Sequence, residues 1–293
     1  YRGDRIRSSR LRTAQEGELL DTEGFKIAVI EVQGALFFGS TEQLLRRIAE
    51  LSETARFVVV DFKRVHLADS SACKLILKLA QSMGDGDTEL MFAEIANDGP
   101  LAALSSQFGE HEPDRPLRLF RDVDTALEWC EDRLLVEPLH RAPDTKFSLS
   151  KLDVFHGLSI DECRLLESIV RPLLFNKGDV IIREGDQAKL FFVLARGRVS
   201  VQIRVPTQTG EKRRRVASLG PGLTFGEMAL FGGGARSADV IADEKVICYG
   251  LAVEELKELA AEHPNIMVTI LSNLTRDFSE RLRHANQAIR ALE

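Results

Sequence analysis

Apolar and polar positions follow two rhythms along this chain, and the change falls near its middle. In the first half, short apolar runs alternate with stretches of helical spacing. Residues 26–32 (KIAVIEV) predict a strand, and Leu44, Leu45, Ile48 and Leu51 then recur at helical spacing behind a predicted capping box of Ser40 and Gln43. Phe57–Val60 is an unbroken apolar run closed by Asp61 and Phe62, the pattern of a strand buried on both faces. Leu75, Ile76, Leu79 and Ala80 predict a helix ending at Gly84, Leu90–Ile95 a strand, and Pro100 the start of a short helix. Leu117–Phe120 predicts a last strand, and Ala126, Leu127, Cys130 and Leu134 a last helix. Alternation of strand and helix predicts an α/β fold, a mixed sheet covered by helices.

Residues 137–150 (EPLHRAPDTKFSLS) break the periodicity with two prolines and read as a linker. Beyond them a helical stretch, Ile160–Val170, leads into short β-rich runs punctuated by Gly178, Gly185 and Gly197: Val180–Arg183, Leu190–Leu194 and Val199–Ile203. Turn residues at that spacing predict an antiparallel β-barrel or jelly roll. From about Val253 the helical pattern returns, with Leu256, Leu259, Ile270, Leu274, Phe278 and Leu282 apolar and Pro264 dividing it. The predicted organisation is a lead-in over 1–20, an α/β domain over 21–137, a linker over 138–150, and a barrel with C-terminal helices over 151–293.

Composition narrows the classes. At 293 residues, 44% hydrophobic and 29% charged, the chain has the size of two globular domains. No run approaches the roughly 18 apolar residues of a membrane span. The first twelve residues (YRGDRIRSSRLR) are too polar for a signal peptide, and a start at Tyr1 suggests a piece of something longer. Charge is uneven: residues 1–150 hold 19 basic and 26 acidic side chains (−7), residues 151–293 hold 20 and 19 (+1), and residues 1–12 hold five arginines and one aspartate. An acidic body argues against nucleic acid as a partner. Cys73, Cys130, Cys163 and Cys248 lie 57, 33 and 85 residues apart, a spacing that fits buried free thiols in a reducing cytoplasm rather than a zinc site or a disulfide framework. Six scattered histidines show no metal-ligand spacing, and no P-loop, G-x-S-x-G or paired catalytic carboxylates occur. We therefore expect no catalytic residues, metal or cofactor in these residues. Arg213–Arg215 before Ser218 has the look of a basophilic kinase site but suits a solvated hairpin edge better.

The segment that carries chemistry is Phe225-Gly226-Glu227-Met228-Ala229-Leu230, five residues, then Arg236-Ser237-Ala238. A glycine leading into a short helical turn offers unpaired backbone N–H groups to an anion, and an arginine grips a phosphate with parallel hydrogen bonds. A carboxylate beside them suits a sugar hydroxyl. These residues resemble the phosphate-binding cassette of the cyclic-nucleotide-binding domain family, over roughly 155–278. The resemblance implies that Arg236 pairs with the cyclic phosphate, Glu227 accepts the ribose 2′-hydroxyl, Gly226 supplies an N–H and Ser237 a hydroxyl, with Met228 and Ala229 completing the cassette. The ligand implied is cAMP, or cGMP, since Ser237 tolerates either. Ala235 replaces a proline frequent in the family, and Gly232-Gly233-Gly234 makes the loop loose.

In the first half, Gly34-Ala35-Leu36-Phe37-Phe38-Gly39, Asp61-Phe62 and Asp69-Ser70-Ser71-Ala72 resemble a STAS domain, over about 25–135. In the anti-sigma-factor antagonists of that family the serine matching Ser71 accepts a phosphate. Helix capping by Asp69 and Ser70 explains the same residues without a kinase. The tandem order resembles the C-terminal region of long bacterial glutaminases, which implies a regulatory region modulating an upstream amidohydrolase domain in the same polypeptide. Two alternatives stay open: the cytosolic tail of a sulfate-type anion transporter, and a partner-switching protein phosphorylated on Ser71. Apolar positions along the tail helix also suit a homodimer.

Overall fold

The computed structural model describes residues 1–82, 88–96, 99–102, 117–139, 149–207, 210–231 and 234–292. The chain divides into two units: Tyr1–Ser8, Glu18–His140 and Gln287–Glu293 form the first, Ser9–Gly17 and Arg141–Asn286 the second. In chain order come β1 (Arg10–Leu11), α1 (Ala14–Glu23), β2 (Ile27–Leu36), α2 (Phe38–Ser52), β3 (Phe57–Ala68), α3 (Ser70–Ser82), β4 (Glu89–Ala93), β5 (Leu117–Phe120) and α4 (Val123–Leu139).

The first unit is built around the apolar run at the start of β3. Successive strand side chains point to opposite faces, and here both faces are covered. Val58 and Val60 join Leu44 and Ile48 of α2 and Ala72 and Ile76 of α3 in one core. Phe57 and Val59 join Leu20 of α1 and Ala126, Leu127 and Cys130 of α4 in the other. All four β3 residues are fully buried, each side chain contributing roughly 1.5–3 kcal/mol by burial. The strands lie in the order β2-β3-β4-β5, and every pair is parallel. The sheet predicted as mixed is therefore parallel, because helices α2 and α3 return the chain to the same end before the next strand. Its antiparallel component is a single bridge, Arg2 to Ala28, flanked by main-chain bonds from Gly3 to Ile27 and between Tyr1 and Val29, each 2.9 Å.

Helix α2 starts earlier than predicted. Phe38 opens it, so Ser40 is its third residue; the Ser40 hydroxyl accepts the Phe37 N–H at 2.9 Å and donates to the Ala35 carbonyl at 3.1 Å. The expected Ser40–Gln43 box is corrected by that geometry. Phe37 and Phe38 are about half exposed, and two apolar surface residues at a helix start give a polar–apolar pattern nothing to mark. Beyond residue 102, the helix predicted at Pro100 lies outside the described residues.

The second unit adds α5 (Ile160–Ile169), β6 (Arg171–Phe175), β7 (Val180–Ile182), β8 (Leu190–Arg196), β9 (Val199–Thr207), β10 (Gly210–Leu219), β11 (Thr224–Phe225), β12 (Asp239–Ala242), β13 (Val246–Ala252), α6 (Val253–Glu262) and α7 (Pro264–Leu292). They form two sheets, β1-β10-β9-β12-β7 and β11-β8-β13-β6, antiparallel except where β1 runs parallel to β10. Strand β8 sorts its side chains as β3 does. Phe192 and Leu194 face a core shared by strands of both sheets, with Val199, Val240 and Cys248. Phe191 and Val193 face Leu166 of α5, Leu256 of α6 and Ile266, Ile270 and Leu274 of α7. At the β8–β9 turn, Gly197 has φ +89°, and a Cβ there would lie 2.6 Å from the Lys245 carbonyl oxygen, so only glycine fits. Pro264 divides the tail as predicted, standing at the first position of α7 where its missing N–H is no loss. The predicted apolar stripe splits: Ile270 and Leu274 are buried, while Leu282 is 63% exposed.

Candidate functional site

Strand β11 ends at Phe225, which is buried and stacked on Phe192 with ring centroids 5.0 Å apart and planes within 7°. That stack fixes the point at which the chain leaves the sheet. Gly226 follows with φ +73°, and a Cβ there would meet an Arg236 guanidinium nitrogen at 2.8 Å and Ile182 Cδ1 at 3.1 Å. Glycine is thus required twice, for its dihedral and for the approach of the guanidinium. Glu227–Phe231 then form one 3₁₀ turn, anchored by buried Ala229, whose N–H bonds the Gly226 carbonyl at 3.2 Å.

The returning segment is tied to the loop before β8. Arg236 N–H donates to the Asp186 carbonyl and Gly185 N–H to the Arg236 carbonyl, both 2.8 Å, and Ala188 N–H reaches the Gly234 carbonyl at 3.1 Å. This places Arg236 against the 3₁₀ turn, where its Nη1 donates to the Gly226 carbonyl at 2.9 Å and its Nη2 to the Leu190 carbonyl at 2.6 Å. Burial lowers the Arg236 pKa from its ordinary value, against the opposing pull of Glu227 and Asp186. Burial likewise raises that of Glu227, with Asp277 adding to the rise and Arg281 and Arg236 opposing it. The two groups therefore sit close together in a poorly solvated place, each paying for burial in the direction that favours its neutral form.

Gly226, Glu227, Met228, Arg236 and Ser237 line one cleft of about 160 Å³, walled by Ile182, Val201 and Val240. Ala229 lies beneath the turn rather than in the lining. Met228 is exposed, and the Ser237 hydroxyl lies 3.9 Å from its sulfur. Gly232 and Gly233 lie outside the described residues.

Helix α7 contributes Phe278, already marked as an apolar position of the tail, and two residues that sequence reasoning missed, Asp277 and Arg281. Arg281 pairs with Asp277 at 2.6 Å, and its Nη2 points to the Thr224 carbonyl at 3.4 Å. Phe278 lies against Phe231 at the end of the 3₁₀ turn, with ring centroids 5.8 Å apart. Asp277 and Arg281 are spaced like any solvent-facing helical ion pair, so nothing in the sequence singles them out.

The other candidates separate clearly. Asp69 Oδ1 accepts the Ala72 N–H at 2.7 Å, the capping geometry expected of it, and Ser70 and Ser71 stand exposed in the first turn of α3. Ser218 is fully buried in β10, out of reach of a kinase, while Arg213 and Arg214 are exposed on the hairpin. All four cysteines are buried and unpaired, and burial pushes the Cys248 thiol up to about 12. Among the described residues no group of three or more His, Cys, Asp or Glu could hold a metal, and no helix is long and apolar enough to cross a membrane.

Comparison with known proteins agrees with this layout. Residues 20–104 match the STAS domain family and residues 172–263 the cyclic nucleotide-binding domain family. Over 287 residues, 97% of its length, the chain is 30% identical to glutaminase 2 of Bradyrhizobium diazoefficiens, of which it spans 44%. A stretch of 133 residues, 45% of the chain, is 33% identical to the cyclic AMP receptor protein of Thermus thermophilus, covering 58% of that protein. Among solved structures, a cyclic nucleotide-binding domain from Methylobacillus flagellatus is similar over 49% of this chain and 78% of that one, at 26% identity and a TM-score of 0.43.

Proposed function

We propose that this chain, a STAS domain followed by a cyclic nucleotide-binding domain, is the regulatory region of a longer glutaminase and binds a cyclic nucleotide, cAMP in preference to cGMP. The observation that carries the ligand is the meeting of Gly226, Glu227, Arg236 and Ser237 around one cleft. Arg236 takes the cyclic phosphate, Glu227 the ribose 2′-hydroxyl, Gly226 gives an N–H, and Ser237 a hydroxyl. Met228 and Ala229 hold the turn. A guanidinium has five N–H donors, and the two used on the Gly226 and Leu190 carbonyls pre-aim the group at the cleft mouth. Preference for cAMP is supported by the likeness to a cyclic AMP receptor protein.

What supports the parent is the likeness to a glutaminase along nearly the whole chain. Regulation works by linkage: nucleotide favours one arrangement of the 3₁₀ turn, and Phe231 passes that preference to Phe278 on α7, shifting the population of the attached enzyme domain. Once Ile266, Ile270 and Leu274 are spent on the core, α7 keeps Val268 and Leu282 exposed, two heptads apart, which supports a homodimer through this helix. We assign the protein to the cytoplasm, where buried cysteines stay reduced.

Calorimetry with cAMP and cGMP tests the ligand. Heat with both and tighter binding of cAMP is expected; no heat from the wild-type chain with either overturns the reading. The parent is tested on the longer protein, whose glutaminase activity should change on adding nucleotide, and unchanged activity refutes regulation. Sedimentation should show a dimer that Leu282→Glu dissociates, and a monomer at every concentration removes the dimer.

A further inference from the structure

The segment that feeds the cassette is held by residues from the start of the chain. β10 ends at Leu219, residues 220–223 follow, and β11 then leads straight into Gly226. Ser9–Gly17 belong to the second unit, although the chain on either side of them belongs to the first. Within the second unit β1 runs parallel to the end of β10, pairing Arg10 with Ser218 and Leu11 with Leu219, and the Ser218 N–H donates to the Ser9 carbonyl at 3.3 Å. Leu11 packs against the core that contains Leu219, Leu223 and Phe225. A Cβ on Gly220 would lie 2.8 Å from Arg10 Nη2, and one on Gly222 would lie 3.5 Å from Thr13 Cγ2. Thr13 is itself buried and fixed, its N–H and hydroxyl donating to Glu16 Oε2 at 3.0 and 3.1 Å. Residues 9–13 thus lie along the feeder from the end of β10 to Gly222. On its other side, the Gly222 N–H donates to the Leu194 carbonyl and the Leu194 N–H to the Leu223 carbonyl, both at 2.8 Å. Leu194 is part of β8, the strand whose Leu190 carbonyl holds Arg236.

Two paired residues and a 3.3 Å main-chain bond are a weak hold on their own. Leu11 adds the packing that secures the strand, and its seat exists only while the feeder is ordered. We propose that Ser9–Gly17 is a strap that positions the nucleotide cassette, with Leu11 its positioning residue, and that an occupied cassette tightens the strap on β10. A ligand in the cleft fixes Gly226 and Arg236, and through them the feeder and β8; a fixed feeder gives Leu11 a firmer seat. The chain leaves the strap through Ser8 on one side and Glu18 on the other. In the first unit, the Ser8 N–H and hydroxyl donate to the Glu131 carboxylate at 2.7 and 2.6 Å, and Leu20 is buried in a core. A change in the hold on residues 9–17 is therefore felt by anchored chain at both ends. The tightening rests on the nucleotide reading; the positioning does not.

Hydrogen exchange on the full chain tests both parts. Without nucleotide, Leu11→Ala should speed exchange over residues 220–231 about tenfold while α5, packed in the other core of this unit, keeps its wild-type rate. Leu11 is only partly buried, so the variant should fold, and Thr13→Ala should give a smaller acceleration in the same residues. Wild-type exchange over 220–231 in both variants overturns the positioning. Equal acceleration throughout the unit overturns it too, because that is a general loss of stability. Saturating cAMP should slow exchange over residues 9–17 of the wild-type chain by about threefold, and Leu11→Ala should weaken cAMP in calorimetry by about threefold. A nucleotide that binds by calorimetry yet leaves exchange over 9–17 unaltered overturns the tightening. If the wild-type chain gives no heat with nucleotide, the nucleotide reading fails and the tightening with it, while exchange without nucleotide still decides the strap.

Discussion

Two turns in this chain lead from a strand into a helix and look alike as anion sites, yet they are finished differently. In the first unit, α3 opens behind Asp69, whose carboxylate accepts the Ala72 N–H at 2.7 Å. In the second, the 3₁₀ turn opens behind Gly226, which has no side chain to offer, and an arginine stands where a cap would be, its Nη1 2.9 Å from the glycine carbonyl. The first turn is supplied with its negative charge by the chain itself, and a phosphate on Ser71 would arrive beside that charge. The second has no side chain at its cap, and its own carboxylate, Glu227, sits in the first turn with Arg236 acting on it. The lesson is that a helix start in sequence says little until the group filling it is known.

The largest effect that would sharpen this contrast is Arg236→Ala. It should weaken cyclic nucleotide by about 100-fold or more, the range for removing one partner of a buried hydrogen-bonded charge pair; calorimetry showing a loss below tenfold would break it. Next comes Gly226→Ala, which forces a side chain into φ +73° and against the Arg236 guanidinium. Urea unfolding should report a loss of about 1–3 kcal/mol, and unchanged stability would mean the turn is not constrained. Glu227→Gln should weaken nucleotide about tenfold. It should also flatten the pH dependence of stability. Burial raises the Glu227 pKa in the folded state, so the native protein holds a proton that the unfolded chain releases, and stability falls as pH rises above the ordinary carboxylate value. The variant should therefore be the more stable at neutral pH, checked by melting curves across pH. Smallest is Asp69→Ala, expected to cost about 1 kcal/mol as a lost cap while leaving nucleotide affinity unchanged; a change in affinity would mean the two turns are not independent.

Much of this was legible because burial writes itself into composition. Phe57–Val60 reads as doubly covered since both faces meet helices, and the glycines at 178, 185 and 197 read as turns since each has a positive φ. That Gly226 and Arg236 line one cleft was legible because the residues that build it are local, eleven from Gly226 to Arg236. Features that depend on distant partners were not. β1 is two residues of a basic segment made into strand only by Ser218 and Leu219. The Leu190 carbonyl that holds Arg236 is main chain, which no residue type announces.

The bridge between Arg2 and Ala28 has a practical consequence. β2 is the outermost strand of its sheet, and Tyr1–Gly3 occupy its open side at Ile27–Val29. A strand with unpaired N–H and C=O groups and an apolar sequence is a template for self-association. A shortened chain beginning at Asp4 would keep both cores and the nucleotide cleft but uncover that edge. Its fault would show not in ligand binding but in solubility, as light scattering that grows with concentration while the melting temperature barely moves.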